Sequence, residues 1–180
     1  MDILTPRGQS WKNYAEEAVW VFESQYGEEF GIALTDWRKP VSYDGCIVRK
    51  KTKTICAALE IKCRSMTLGK LVHEYRGEWL VTLEKLKEGQ KAAANLGVPF
   101  FGLLYLVPER RLLIRRLTDG AGRLIHVKRT EETVTKATCN GGEARRMNAF
   151  IDMRGATIVE GKSKDASTLG RNQFGLSRLY

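Results

Sequence analysis

The stretch Asp44-Gly-Cys-Ile-Val-Arg-Lys-Lys-Thr-Lys-Thr-Ile-Cys-Ala-Ala-Leu-Glu60-Ile-Lys62 decides the reading of the fold. Two apolar runs rich in β-branched residues flank the basic turn Lys50-Lys51-Thr52-Lys53, so Asp44 to Arg49 and Thr54 to Lys62 are predicted to be two strands of a hairpin. With the turn centred on Thr52, Asp44 stands opposite Glu60, and opposed residues share a face of the sheet. Glu60 and Lys62, two positions apart on one strand, point the same way. One face then carries Asp44, Glu60 and Lys62 among Cys46, Val48, Cys56 and Ala58. The other carries the aliphatic row Ile47, Ile55, Ala57, Leu59 and Ile61, which suits packing on a helix.

Two adjacent carboxylates repel unless a cation lies between them, and magnesium takes one or two carboxylates together with waters and phosphate oxygens. A neighbouring lysine can orient or help deprotonate an attacking water and stabilise charge on a phosphorane. The arrangement suits phosphodiester hydrolysis. The competing reading is a surface ion pair of Asp44 or Glu60 with Lys62, worth under about 1 kcal/mol. A second E-x-K, Glu160-Gly161-Lys162, has glycine at its centre and no helix and strand after it, so context separates it from the first.

Outward from the hairpin, Trp11, Tyr14, Ala15, Ala18, Val19 and Phe22 recur at helical spacing, with Ser10 as an N-cap and an end near Gly27. Phe30 to Thr35 is predicted to be a strand. Glu78 to Leu96 reads as one helix stopped by Gly97, and Val98 to Val107 as an apolar strand. Within that helix Gln90 falls on the stripe of Trp79, Leu83, Leu86 and Ala93, where a buried amide either holds backbone or points towards Lys62. Lys87 flanks the stripe, within reach of phosphate. Beside the apolar face of the first helix, Glu16 and Glu17 are either solvated charges or further acids of the site. Arg111 to Leu117 and Arg123 to Lys128 read as another hairpin, and Glu143 to Met153 as a short helix. Residues 1–160 are expected to form a single domain with its core at 11–107, and 161–180 a basic, mobile tail.

The chain has 180 residues, 43% hydrophobic and 28% charged, which excludes wholesale disorder and a disulfide-held miniprotein. A net charge of +9 favours a polyanionic partner such as nucleic acid. Arg49, Lys50, Lys51 and Lys53 in the hairpin turn, with Arg110, Arg111, Arg115, Arg116, Arg123, Lys128 and Arg129, are candidates to track phosphates, and solubility alone is the competing account of such charges. Trp37, Tyr75, Trp79 and Tyr105 are candidates to stack bases, with Trp79 and Tyr105 set in apolar patterns that suit a core. Cys46, Cys56, Cys63 and Cys139 have no paired spacing and are expected to be free thiols. With only two histidines, any metal is expected on oxygen ligands. No segment reads as a membrane span or signal peptide, so an intracellular, cytoplasmic protein is expected.

Taken together, Ser42-Tyr43-Asp44-Gly45 and Ala58-Leu59-Glu60-Ile61-Lys62, in a helix, three-strand, helix, strand order over Trp11 to Val107, resemble the PD-(D/E)XK nuclease superfamily. The resemblance implies an α/β restriction-endonuclease-like core, with the predicted hairpin and short helix added after it. It implies metal binding by Asp44, Glu60 and the carbonyl of Ile61, Lys62 acting on the water, and Gln90 near the scissile phosphate. Tyr14-Ala15-Glu16-Glu17-Ala18-Val19 resembles the first helix of archaeal Holliday-junction resolvases and related phage nucleases, which assigns the helix glutamate to Glu16. The first motif reads Tyr43-Asp44 in place of Pro-Asp. Three cysteines fall inside the core, unlike the arrangement in iron-sulfur relatives, so no cluster is expected.

The expected function is a DNA nuclease dependent on Mg2+ or Mn2+, an endonuclease on branched, flapped or duplex DNA in phage or prokaryotic DNA processing. A homodimer, formed through the edge strand or the C-terminal arm, would let it cut two strands. The alternatives are a module of the same fold that binds nucleic acid without cutting, and a sequence-specific restriction-type endonuclease.

Overall fold

The structure, a computed structural model, describes residues 6–36, 42–135, 144–161 and 177–178. Helix α1 (Pro6–Tyr26) is followed by strands β1 (Phe30–Leu34), β2 (Gly45–Arg49) and β3 (Thr54–Arg64). Next come the short helix α2 (Leu68–His73), β4 (Glu78–Thr82), α3 (Leu83–Asn95) and β5 (Phe100–Leu106). The chain continues through β6 (Arg111–Arg116), β7 (Val127–Thr135), β8 (Ala144–Asp152), β9 (Thr157–Glu160) and the two-residue β10 (Ser177–Arg178). A seven-stranded sheet runs β1-β2-β3-β5-β6-β9-β10, and a three-stranded sheet runs β4-β8-β7. Among the described strands only β3 and β5 pair in parallel, with Glu60 beside Gly102 and Lys62 beside Leu104. This parallel step needs a crossover, which α2, β4 and α3 supply. Helix, three antiparallel strands, helix and parallel strand form a mixed α/β core of the restriction-endonuclease-like order.

The large sheet is covered on both faces. Ala15, Ala18, Val21 and Phe22 of α1 pack on Leu59, Ile61, Cys63, Leu103, Tyr105 and Leu112, the odd-numbered face of β3. Opposite, Leu86 and Ala93 of α3, with Trp79 and Val81 of β4, pack on Ala58, Phe100, Leu104 and Leu113. Glu60 and Lys62 belong to this second face because side chains alternate along a strand. Gly102 permits the close fit there: a Cβ on it would lie 2.3 Å from the Trp79 ring. Gly89 does the same for α3, where a Cβ would lie 2.3 Å from Phe100.

The hairpin pairs Gly45 with Leu59, Cys46 with Ala58 and Ile47 with Ala57, the expected register, then slips by one residue so that Val48 meets Ile55. A bulge at Cys56 absorbs the slip. The described cysteines, Cys46, Cys56 and Cys63, are free. No described helix is long and apolar enough to cross a membrane.

Several expected elements are corrected. Ser10 lies inside α1, which begins at Pro6. The helix predicted over Glu78 to Leu96 is a strand and then a helix: Trp79 and Val81 are buried while their neighbours are only partly so, a period of two, and they pair with Ile151 and Ala149. Glu143 to Met153 is no helix; its described part is strand β8, clamped between β4 and β7. Arg111 to Leu117 and Arg123 to Lys128 form no hairpin beyond the single bridge Thr118 to Leu124. Instead β6 pairs with β5 and β9, and β7 pairs with β8. Within the tail, Ser177 and Arg178 pair with Ile158 and Thr157, and the remainder beyond Gly161 lies outside the described residues, as do Trp37 and Cys139.

Gly102→Ala is expected to destabilise the protein by about 1–3 kcal/mol through overpacking against Trp79. Urea unfolding should show a lower midpoint at unchanged slope.

Candidate active site

Asp44 enters the site from the start of β2, held by backbone on both sides. Its N–H donates to the carbonyl of Leu59 at 2.8 Å, and its carbonyl accepts from the backbone N–H and hydroxyl of Thr35, each at 3.0 Å. Its carboxylate Oδ2 accepts the N–H of Ile61 at 2.9 Å, which fixes it over the Glu60-Ile61-Lys62 segment. The Lys62 ammonium pairs with Glu60 Oε1, lies 3.7 Å from Asp44 Oδ2 and donates to the carbonyl of Ile61 at 3.4 Å. Lys85, from the first turn of α3, reaches Asp44 Oδ1 at 3.5 Å. Two acids, a backbone carbonyl and two lysines thus converge on the α3 side of the sheet.

Glu60 is fully buried; its Oε1 is paired with the Lys62 ammonium, and its Oε2 has no partner among the described residues. The close Lys62 ammonium is its compensation. Burial pushes the Glu60 carboxyl up and Asp44 adds repulsion, while Lys62 and Lys85 pull it down, leaving it at about 7. Burial lowers the pKa of Lys62, but Glu60 and Asp44 outweigh that and raise it, so Lys62 stays an ammonium. On the other face, burial pushes the Cys63 thiol to about 12 and keeps it unreactive at neutral pH.

A divalent cation fits these donors. The buried Glu60 carboxylate, whose Oε2 has no partner among the described residues, the Asp44 carboxylate and the Ile61 carbonyl are hard oxygen ligands of the kind magnesium accepts, with the rest of its shell left for water and phosphate. Among the described residues no group of three or more His, Cys, Asp or Glu side chains gathers as a metal cluster.

The other residues singled out in the sequence lie elsewhere. Gln90 donates its amide to the carbonyl of Gly122 at 2.7 Å, holding the loop after β6. Its expected place beside Trp79 depended on a helix that begins only at Leu83. Glu16 pairs with Lys12 at 3.6 Å on an exposed side of α1, the helix that covers the opposite face of the sheet. Glu17 pairs with Arg110 at 2.9 Å. Arg49 pairs with Glu29 and stands 4.9 Å over the Phe30 ring, while Lys50, Lys51 and Lys53 are exposed at the hairpin turn. That turn is about 20 Å along β3 from Glu60. Lys87 lines an open groove of about 520 Å3 with Glu84, Arg145, Arg146 and Met147. Lys85 is the residue that sequence reasoning missed; no spacing in the sequence marks it, because the packing of α3 brings it to Asp44.

No family model and no curated protein matches the chain. Among solved structures, the 1.6 Å resolution structure of Archaeoglobus fulgidus Hjc, a Holliday junction resolvase from an archaeal hyperthermophile, is similar at 15% identity, covering 73% of this chain and 84% of that one, with a TM-score of 0.43.

Because Glu60 holds its proton in the folded state up to about 7 and releases it near 4.5 when unfolded, the unfolded chain binds fewer protons between those values, and stability falls as pH rises through them. Glu60→Gln should therefore be more stable than wild type at pH 8 in chelator, by up to about 3 kcal/mol. The difference should shrink towards pH 5. Magnesium should raise the melting temperature of wild type at pH 8 and leave that of Glu60→Gln unchanged.

Proposed function

We propose that the protein is a divalent-metal-dependent nuclease that hydrolyses DNA phosphodiester bonds as an endonuclease. The observation that carries this reading is the convergence of Asp44, the buried Glu60 carboxylate, the Ile61 carbonyl and Lys62 on one spot of the sheet. Asp44, Glu60 and the Ile61 carbonyl would hold a Mg2+ or Mn2+ ion. Bound there, the ion would polarise the phosphate and acidify the attacking water.

The chain's own groups divide the remaining work. Asp44 is oriented by the Ile61 N–H, so it needs no reorganisation to serve as a ligand. Lys62, kept protonated by its acidic neighbours, donates hydrogen bonds to the water and to phosphate oxygens, and offsets charge that builds on them. Lys85 adds a second positive charge on the α3 side. Lys87, Arg145 and Arg146 flank the groove beyond α3 and supply contacts to neighbouring phosphates, which carry affinity without sequence information. The exposed lysines at the hairpin turn extend that basic surface to a second, more distant stretch of backbone. Branched, flapped or duplex DNA is the substrate class, and phage or prokaryotic DNA processing the setting.

The test is cleavage of end-labelled duplex, flapped, four-way-junction and single-stranded DNA, and of RNA, in magnesium, manganese or chelator. Wild type should cut DNA internally only with metal. Lys62→Met should lose at least about 100-fold in rate while still binding the DNA. Binding without cutting by wild type would turn the reading to a non-catalytic DNA-binding module; cutting that persists in Lys62→Met and Asp44→Asn would place the chemistry elsewhere.

A further inference from the structure

A cleft of about 470 Å3 opens between the α3 face of the large sheet and the three-stranded sheet. It is lined by the apolar side chains of Met66, Leu71, Trp79 and Leu104, by Tyr75 and Phe150, and by Arg64, Arg76 and Arg129. Three properties distinguish it from a packing defect. Arg64 is desolvated enough for burial to lower its pKa, yet it bonds only to the carbonyl of Cys63, and no carboxylate pairs with it among the described residues. Trp79 is buried and its indole Nε1–H has no hydrogen-bond partner among the described residues. Tyr75 is nearly half exposed at the rim, next to Arg76, which holds a left-handed backbone conformation (φ 55°).

The cleft adjoins the acid site by construction. Arg64 follows Lys62 on the same face of β3, about 7 Å further along the strand, the reach of a neighbouring nucleotide and not of the scissile phosphate itself. Trp79 lines the cleft while its ring covers Gly102, the residue paired with Glu60. The charge is complementary to an anion: three arginines face Glu74 and Glu78, and Glu74 is already paired with Lys70 while Glu78 pairs with Arg129. Arg129 also stacks over Phe150 at 3.8 Å, so one wall is a cation laid flat on an aromatic ring. An aromatic rim, an apolar floor, an unpaired buried donor and surplus guanidinium groups are the recognition chemistry of an unstacked base with its flanking phosphates.

We infer that this cleft binds one unpaired nucleotide of the DNA, stacked on Tyr75 and neutralised by Arg64 and Arg76, next to the phosphate held at Asp44, Glu60 and Lys62. The inference rests on the nuclease reading for its substrate and narrows that substrate to DNA with an unpaired nucleotide beside the cut. A fully paired base is kept out because it stays in its stack; a bulge, flap or branch point offers one at small cost.

The test measures binding in chelator, so it needs no cutting. The probes are two duplexes, one with a single bulged 2-aminopurine and one with the same base paired. Wild type should bind the bulged duplex about tenfold more tightly and change its 2-aminopurine emission. Tyr75→Ala and Arg76→Ala should each erase that preference while keeping wild-type affinity for the paired duplex and wild-type melting temperature. Equal affinity of wild type for the two duplexes, or a preference that survives in Tyr75→Ala, would overturn the inference. Neither result bears on hydrolysis, which the Lys62→Met comparison decides separately.

Discussion

The charge of Glu60, buried between sheet and helix with only a lysine to balance it, is the constraint around which the rest of the molecule is arranged. A carboxylate removed from water costs several kcal/mol unless it is paired, and here Lys62 is the partner and Asp44 a repulsive neighbour. Packing alone would not select such a residue at the centre of a sheet. The surroundings sustain it: α3 brings Lys85 to Asp44, β5 places glycine beside Glu60, and β4 lays Trp79 over that glycine. Each of these elements lies in the crossover between β3 and β5 or just after it.

The hairpin was legible because alternation and a basic turn specify it locally. Asp44 and Glu60 were brought together by the register that the Thr52-centred turn implies, and the slip at Cys56 falls on the far side of the acid pair and leaves it intact. The strand Glu78–Thr82 was not legible as a strand, since Glu-Trp-Leu-Val-Thr runs without a break into the helical Leu-Glu-Lys-Leu-Lys. Pairing with β8 decides its conformation, and β8 comes from a segment whose own pattern suggests a helix. These two misreadings are one event, because each strand is the other's reason to exist.

Among site residues the same division holds. Asp44, Glu60 and Lys62 converge through contacts within one hairpin. Lys85 arrives by a tertiary route that no local spacing encodes. Helical angles projected from Trp79 put Gln90 on the buried stripe, but the helix begins only at Leu83, and the Gln90 amide secures the loop at Gly122. Glu16 was assigned by likeness of a short helical motif, whereas α1 lies across the odd-numbered face of β3 and turns Glu16 towards Lys12.

The parallel pairing of β3 with β5 also separates two stages in how the site is made. Closing the hairpin joins Asp44 to the Ile61 N–H across a short loop, whereas covering Glu60 requires the whole crossover to be threaded and β5 to be seated, a longer closure with a larger entropic cost. In the folded chain Trp79 lies over Gly102 beside Glu60, so one hairpin supplies the acid pair while a later part of the chain supplies the dry surroundings that give Glu60 an unusual affinity for protons.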